Sequence, residues 1–145
     1  MCERNLLQRK TKHSNDPEKI AETIENLRKV LQICQKGIGL AANQIDIDES
    51  VCIVHLTKEM IFVNPEIVSH SSEMFEFHEG CLSYVDTFVN TERYRKIVVK
   101  SDNRGVETFE YDSNGSDENN VQLACVQHEI DHLNGITIFE RKKRH

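Results

Sequence analysis

What this chain lacks narrows the field first. It has no repeats and no low-complexity segment, and no apolar run approaches the roughly 20 residues that cross a bilayer, so no membrane partner is expected. It also lacks a basic excess: 18 Lys and Arg stand against 24 Asp and Glu. A formal charge of −6 argues against a protein that grips nucleic acid through a basic stripe. Met1 to His13 is basic but carries Glu3 and has no apolar centre, so it reads neither as a secretory signal nor as a transit peptide. Five cysteines (Cys2, Cys34, Cys52, Cys81 and Cys125), an odd number at scattered spacings, do not make a disulfide framework. Reduced thiols in a cytosol fit better. Cys34 and Cys52 fall in apolar runs and read as small core residues, whereas Cys81 follows a glycine in a turn-like stretch. What remains, at 145 residues with 38% hydrophobic and 29% charged, is one soluble globular domain covering 1–145.

The first fifteen residues show no period and are expected to be irregular or a frayed edge strand. Asp16-Pro17-Glu18 then supplies a helix start: an acid at the cap, proline at the first helical position and acid in the first turn. Ile20, Ile24, Leu27, Leu31 and Cys34 form one stripe of an amphipathic helix that Gly37 ends, packed on a sheet. Short β-rich runs follow at Val51–Leu56, Met60–Val63, Glu66–Ser69 and Met74–Phe77. Arg95–Ser101 and Val106–Tyr111 read as a hairpin around Asn103-Arg104-Gly105. Ser113 to Asn120 is polar and reads as a loop, Val121–Leu133 as a second helix, Ile136–Phe139 as a last short strand and Arg141–His145 as a solvated basic tail. Helix, strands, helix gives an α+β fold.

The second helix carries His128-Glu129-Ile130-Asp131-His132. Helical residues four apart sit about 40° apart around the axis, so His128 and His132 can turn both imidazoles to one divalent metal. Glu129 lies about 60° from His132 and reaches a water on that metal without being a ligand. Asp131 flanks the same stripe and is expected to orient an imidazole from behind. Two histidines do not complete a site. Downstream, the position where a third histidine would follow Gly135 is Ile138, and the chain stops at His145. Cys125 lies about 7.5 Å along the axis from the midpoint of the two histidines, too far for its short side chain. That leaves Cys81, and one cysteine with two histidines is an accepted catalytic set with an open corner for water.

Gly37-Ile38-Gly39-Leu40-Ala41-Ala42-Asn43-Gln44 contains Gly-x-Gly-x-x-Ala, but it follows a helix, not a strand, so the dinucleotide-binding reading is rejected. Taken alone it is a helix cap and a bend; the two glycines also suit backbone approached by an extended peptide. In Phe75-Glu76-Phe77-His78-Glu79, alternation sets Phe75, Phe77 and Glu79 on one face, with Glu76 and His78 on the other. With the phenylalanines inward, Glu79 is a buried acid that needs Arg93 or Arg95; outward placement of Glu79 is the alternative.

Three stretches, Gly37 to Gln44, Glu79-Gly80-Cys81-Leu82-Ser83 and Gln127 to Gly135, resemble the three signature motifs of the peptide deformylases, in the same order. The resemblance implies antiparallel sheets packed around a central helix carrying the His-Glu-x-x-His motif, behind a long N-terminal amphipathic helix. It also implies a hydrolase that removes the formyl group from the N-terminal formyl-methionine of nascent chains. Cys81, His128 and His132 would hold one metal ion, Fe²⁺ in vivo with Zn²⁺ or Ni²⁺ able to replace it, and Glu129 would be the general acid/base. The Gln44 amide and the Leu82 backbone N–H would meet the oxyanion. Ile38, Gly39 and Gly80 would present main chain to the peptide, Ile38, Phe77 and Cys125 would line a methionine pocket, and Glu79 would pair with Arg93. A monomer in the cytoplasm of a bacterium, or encoded by a phage, is expected, in transient contact with the ribosome. The form is a compact one, lacking the C-terminal helix of many relatives, and Thr87-Phe88 stands where some carry an arginine. Two rival readings use the same residues: a metallopeptidase or other amidase, and a structural zinc module in which His78 joins Cys81, His128 and His132 to close all four corners.

Overall fold

The computed structural model describes residues 7–34, 37–115 and 117–143, without the side chains of Val85 and Asp86. The elements are α1 (Pro17–Ile33), β1 (Gly39–Ala41), a 3-10 turn (Ala42–Ile45), β2 (Val51–His55), β3 (Glu59–Val63), β4 (Glu66–His70), β5 (Met74–Cys81), β6 (Tyr84–Tyr94), β7 (Lys96–Ser101), β8 (Gly105–Glu110) and α2 (Asp117–Leu133). The fold is α+β, with antiparallel sheets ordered β1-β2-β3, β4-β7-β8 and β5-β6.

The run Val51-Cys52-Ile53-Val54 is buried without interruption because the first sheet is covered on both faces. Val51 and Ile53 meet Leu27 of α1, while Cys52 and Val54 meet Val126 and Ile130 of α2. Ile97 and Val99 of β7 and Phe75 of β5 join the same core, so α2 lies among the sheets. Asp16 starts α1 by accepting from the backbone N–H of Glu18 (3.0 Å) and Lys19 (3.5 Å). At the other end of α2, Gly135 adopts φ +77°, the Gly135 N–H donates to the His132 carbonyl (3.0 Å) and the Ile136 N–H to that of Asp131 (2.8 Å). That glycine-capped ending leaves both histidines inside regular helix.

Several expectations need correction. β6, eleven residues long, falls where no strand was expected, and β5 runs on through Glu79 to Cys81. α2 begins at Asp117, four residues into the expected loop, with Asn119 and Asn120 donating to the Glu110 and Asp112 carbonyls (2.9 and 3.0 Å). Ile136–Phe139 is a turn that buries Ile138, not a strand. Cys34 caps α1 half-buried instead of joining the core. Nor is the tail simply solvated. Arg141 to Lys143 runs antiparallel beside β6: the Glu92 N–H donates to the Arg141 carbonyl (3.0 Å), and the Lys143 N–H to that of Asn90 (2.7 Å). Cys2 and the end of the tail lie outside the described residues. No helix among the described residues is long and apolar enough to cross a membrane.

Candidate metal centre

Cys81 stands at the tip of the β5-β6 hairpin. There Cys81 pairs with Tyr84 across a turn of Leu82 and Ser83, and the register shifts next to Gly80. The hairpin tip faces α2, and Cys81, His128 and His132 each offer a ligand atom within 4.8 Å of the others. His132 Nε2 lies 3.2 Å from Cys81 Sγ and 3.1 Å from His128 Nε2. Among the described residues these three are the group able to hold a metal. His78 is not part of it: its ring is exposed, stacks on Phe88 at 5.5 Å and holds Asn90 Oδ1 at 2.7 Å.

Behind these three candidate ligands runs a chain of buried charges. Glu79 faces inward, and its Oε1 lies 2.8 Å from His128 Nδ1. Arg93 grips both oxygens of Glu79, and Thr91 donates to Oε2 at 2.6 Å. Burial pushes the Glu79 carboxyl up, but hydrogen bonds from His128 and Arg93 outweigh it and hold the group at about 2. Asp131 does not orient an imidazole. It accepts from Arg93 and takes a two-pronged grip from Arg141 at 2.9 and 3.0 Å. The His128 imidazole is held by Glu79 instead, while both oxygens of Asp131 are taken by the two guanidiniums.

In front of the ligands, Glu129 is buried and its Oε1 has no partner among the described residues. Burial is the main reason its pKa rises to about 7. His128, despite its burial, is pushed up to about 10 by Glu129, Cys81 and Glu79, while burial and the neighbouring His128 drive His132 down. A cation bound there would need the His128 imidazole neutral, so its binding would be coupled to loss of the proton these neighbours favour. Gly39 lies against Glu129: a Cβ there would come within 2.5 Å of Oε2. The Gln44 amide is aimed by its own oxygen, which accepts from the Ala41 N–H at 2.8 Å, leaving Nε2 3.4 Å from Cys81 Sγ and 3.1 Å from Ser83 Oγ. Asn43 donates to the His132 carbonyl and ties the turn to α2.

These groups open on a cleft of about 570 Å³ that Ile38, Gly39, Phe77, Gly80, Leu82 and Cys125 help to line. Burial raises the Cys125 thiol to about 12, so it stays protonated and presents an apolar wall. Of the expected catalytic, metal-holding, substrate-contacting and supporting residues, all but Asp131, Arg93 and His132 border this cleft, and the first two support it from behind. Sequence reasoning missed Thr91, Arg141 and the cleft residue Tyr84, and noted Thr87 and Phe88 only as standing in place of an arginine. All five are carried by β6 or the tail, whose structure the pattern did not reveal.

The model of the polypeptide deformylase family matches residues 2–145. The chain belongs to that family. The peptide deformylase of Polynucleobacter necessarius subsp. necessarius is 38% identical over 117 residues, covering 74% of this chain and 66% of the relative. That of Chromobacterium violaceum is 36% identical over 110 residues, 73% and 62%. The matched stretch thus spans somewhat less than two thirds of these relatives' length. Among solved structures, the peptide deformylase of Thermotoga maritima superposes with a TM-score of 0.81 at 31% identity, over 96% of this chain and 92% of that one. The class I type b peptide deformylase of Acinetobacter baumannii with Met-Ala-Ser bound gives 0.80 at 28%, over 94% and 93%. Peptide deformylases use a single metal ion, and the residues here fit one: three soft and borderline donors together, a carboxylate behind one ring, and the unpartnered Glu129 oxygen beside it.

Proposed function

We propose that this deformylase-family domain, 1–145, hydrolyses the N-terminal formyl group of formyl-methionine peptides, releasing formate and a free amine. Cys81, His128 and His132 hold one divalent ion, Fe²⁺ in the cell with Zn²⁺ or Ni²⁺ as substitutes. Such an ion supplies Lewis acidity toward a carbonyl oxygen and acidifies a water toward neutral pH. Glu129 takes the proton of the attacking water and delivers it to the amine nitrogen as the C–N bond breaks. The Gln44 amide and the Leu82 N–H donate to the oxyanion that develops at the formyl oxygen. Losing one such donor typically costs about 100- to 1,000-fold in rate.

The peptide lies along the open edge of β1. Among the described residues, β1 pairs only with β2. The His55 N–H donates to the Ile38 carbonyl at 2.7 Å, so by alternation the main-chain groups of Gly39 face away from β2, toward the cleft. Methionine enters the apolar part of the cleft, beside Ile38, Phe77 and Cys125. The Met-Ala-Ser carried by the Acinetobacter relative supports this class of ligand. We place the domain in the cytoplasm, as a monomer acting on chains that emerge from the ribosome.

The observation that carries the reading is the convergence of Cys81 with His128 and His132 beside an unpartnered Glu129 oxygen. The test is formate release from formyl-Met-Ala-Ser, with bound metal quantified on the same anaerobic sample. Glu129→Ala is expected to keep the metal and lose turnover, and acetyl-Met-Ala-Ser to be left intact. Equal cleavage of formyl and acetyl peptides would make the protein a general amidase instead.

A further inference from the structure

We infer that Arg141, in the C-terminal segment, is a positioning residue for the metal centre. The inference rests on the reading of Cys81, His128 and His132 as metal ligands. Arg141 is fixed twice, by its main chain beside β6 and by its side chain, whose Nε reaches Asp131 Oδ2 at 2.9 Å and NH2 reaches Oδ1 at 3.0 Å. Asp131 Oδ2 also accepts from Arg93 NH1, whose remaining nitrogens hold Glu79, and Glu79 holds His128 Nδ1. The groups form one line: Arg141, Asp131, Arg93, Glu79, His128. Two carboxylates and two guanidiniums balance along it.

Without Arg141, Asp131 Oδ1 loses the partner recorded for it, at a side chain only 7% exposed. A buried carboxylate does not stay half-satisfied at no cost. The nearest relief is for both its oxygens to turn to Arg93. Every N–H that Arg93 gives to Asp131 is withdrawn from Glu79, and Glu79 is what fixes the ring of His128. The line is also left with one uncompensated negative charge. Both changes reach the ligand ring at the back of the cleft, and not its apolar part beside Ile38, Phe77 and Cys125.

The test uses the full chain and Co²⁺ alone as probe, titrated into metal-free protein and followed by its visible absorption, alongside kcat and KM on formyl-Met-Ala. Outer partners of metal ligands are typically worth about 10- to 100-fold in affinity or activity. Arg141→Gln is expected to weaken Co²⁺ binding about tenfold and to alter its spectrum. It should also lower kcat while KM stays within about twofold, since the proposed peptide contacts at Ile38, Phe77 and Cys125 are untouched. Arg141→Lys, which keeps the charge and loses the fork, is expected to show a smaller loss in the same direction, and carries the test should the glutamine variant not fold. In an Asp131→Asn background, Arg141→Gln should add nothing further. Unchanged Co²⁺ affinity and kcat in the Arg141 variants, with only a lowered Tm, would overturn the inference, as would a full effect persisting without Asp131. If wild-type protein neither binds Co²⁺ nor releases formate, it is the deformylase reading that fails.

Discussion

Single side chains decide whether this site works, and Gly39 shows how narrow the tolerance is. Its missing Cβ is what lets the Glu129 carboxylate stand where it does, 2.5 Å from the position a methyl would take. Gly39→Ala must displace that carboxylate, and a misplacement on the order of 1 Å can cost about 100-fold. The expected result is a fall of that size in formate release with metal content unchanged. On the proposed mechanism Glu129 would also set an acid limb. Its pKa in the metal-free protein is about 7, and only the ionised form accepts a proton. Activity should therefore drop as pH falls through that value; a bound dication pulls it lower, so the limb in kcat/KM lies at or below pH 7. A limb well above pH 7 would assign the loss to another group. At this scale the sequence was readable where spacing does the work, as with His128, Glu129 and His132. Alternation alone left Glu79 open between inside and outside, and only Arg93, buried at 2% exposure opposite it, decides for inside.

Elements were readable where burial and hydrophobicity coincide, and unreadable where they part. β6 is the instructive case. Its inward positions are Val89, Thr91 and Arg93, all buried, while Phe88 points out at 64% exposure. The alternation is regular, but two of its inward side chains are polar because they serve Glu79, so a hydrophobic pattern could not find it. The start of α2 was missed for a related reason. Asp117 to Asn120 are polar, yet acids in a first turn suit the helix dipole and the two asparagines bond neighbouring carbonyls. The end of α2 is sharper. Gly135→Ala would force a side chain into φ +77° and against the Arg9 backbone at 2.7 Å. A loss exceeding about 1 kcal/mol of stability is expected, measured by urea unfolding, because the left-handed strain and the clash add.

At the level of the whole molecule, the sheet β1-β2-β3 held between α1 and α2 makes the site and the core one structure. Leu27→Ala, in a fully buried position under that sheet, should cost about 2–5 kcal/mol and leave the specific activity of the folded fraction intact. The charge line behind the ligands gives stability a pH signature. Glu79 has a folded pKa of about 2 against an ordinary 4.5, so its contribution is complete above about 4.5 and disappears as the pH falls toward 2. Glu79→Gln leaves Arg93 short of its partner and should cost roughly 3–5 kcal/mol at pH 7. The gap from wild type should narrow in unfolding curves taken near pH 3; a constant gap would deny the linkage. The α+β class was legible from the periods and the antiparallel sheets only through the family resemblance, whereas the pairing of the tail beside β6 was not legible, since three basic residues carry no alternation to read.

The open margin of β1 is three residues long, about 10 Å of extended chain. Under the proposed function, a guest held there by amide groups would be read through its main chain, not through the side chains further along. On the proposed reading, such a surface would suit an enzyme that must greet every newly made protein of a cell and remember none of them.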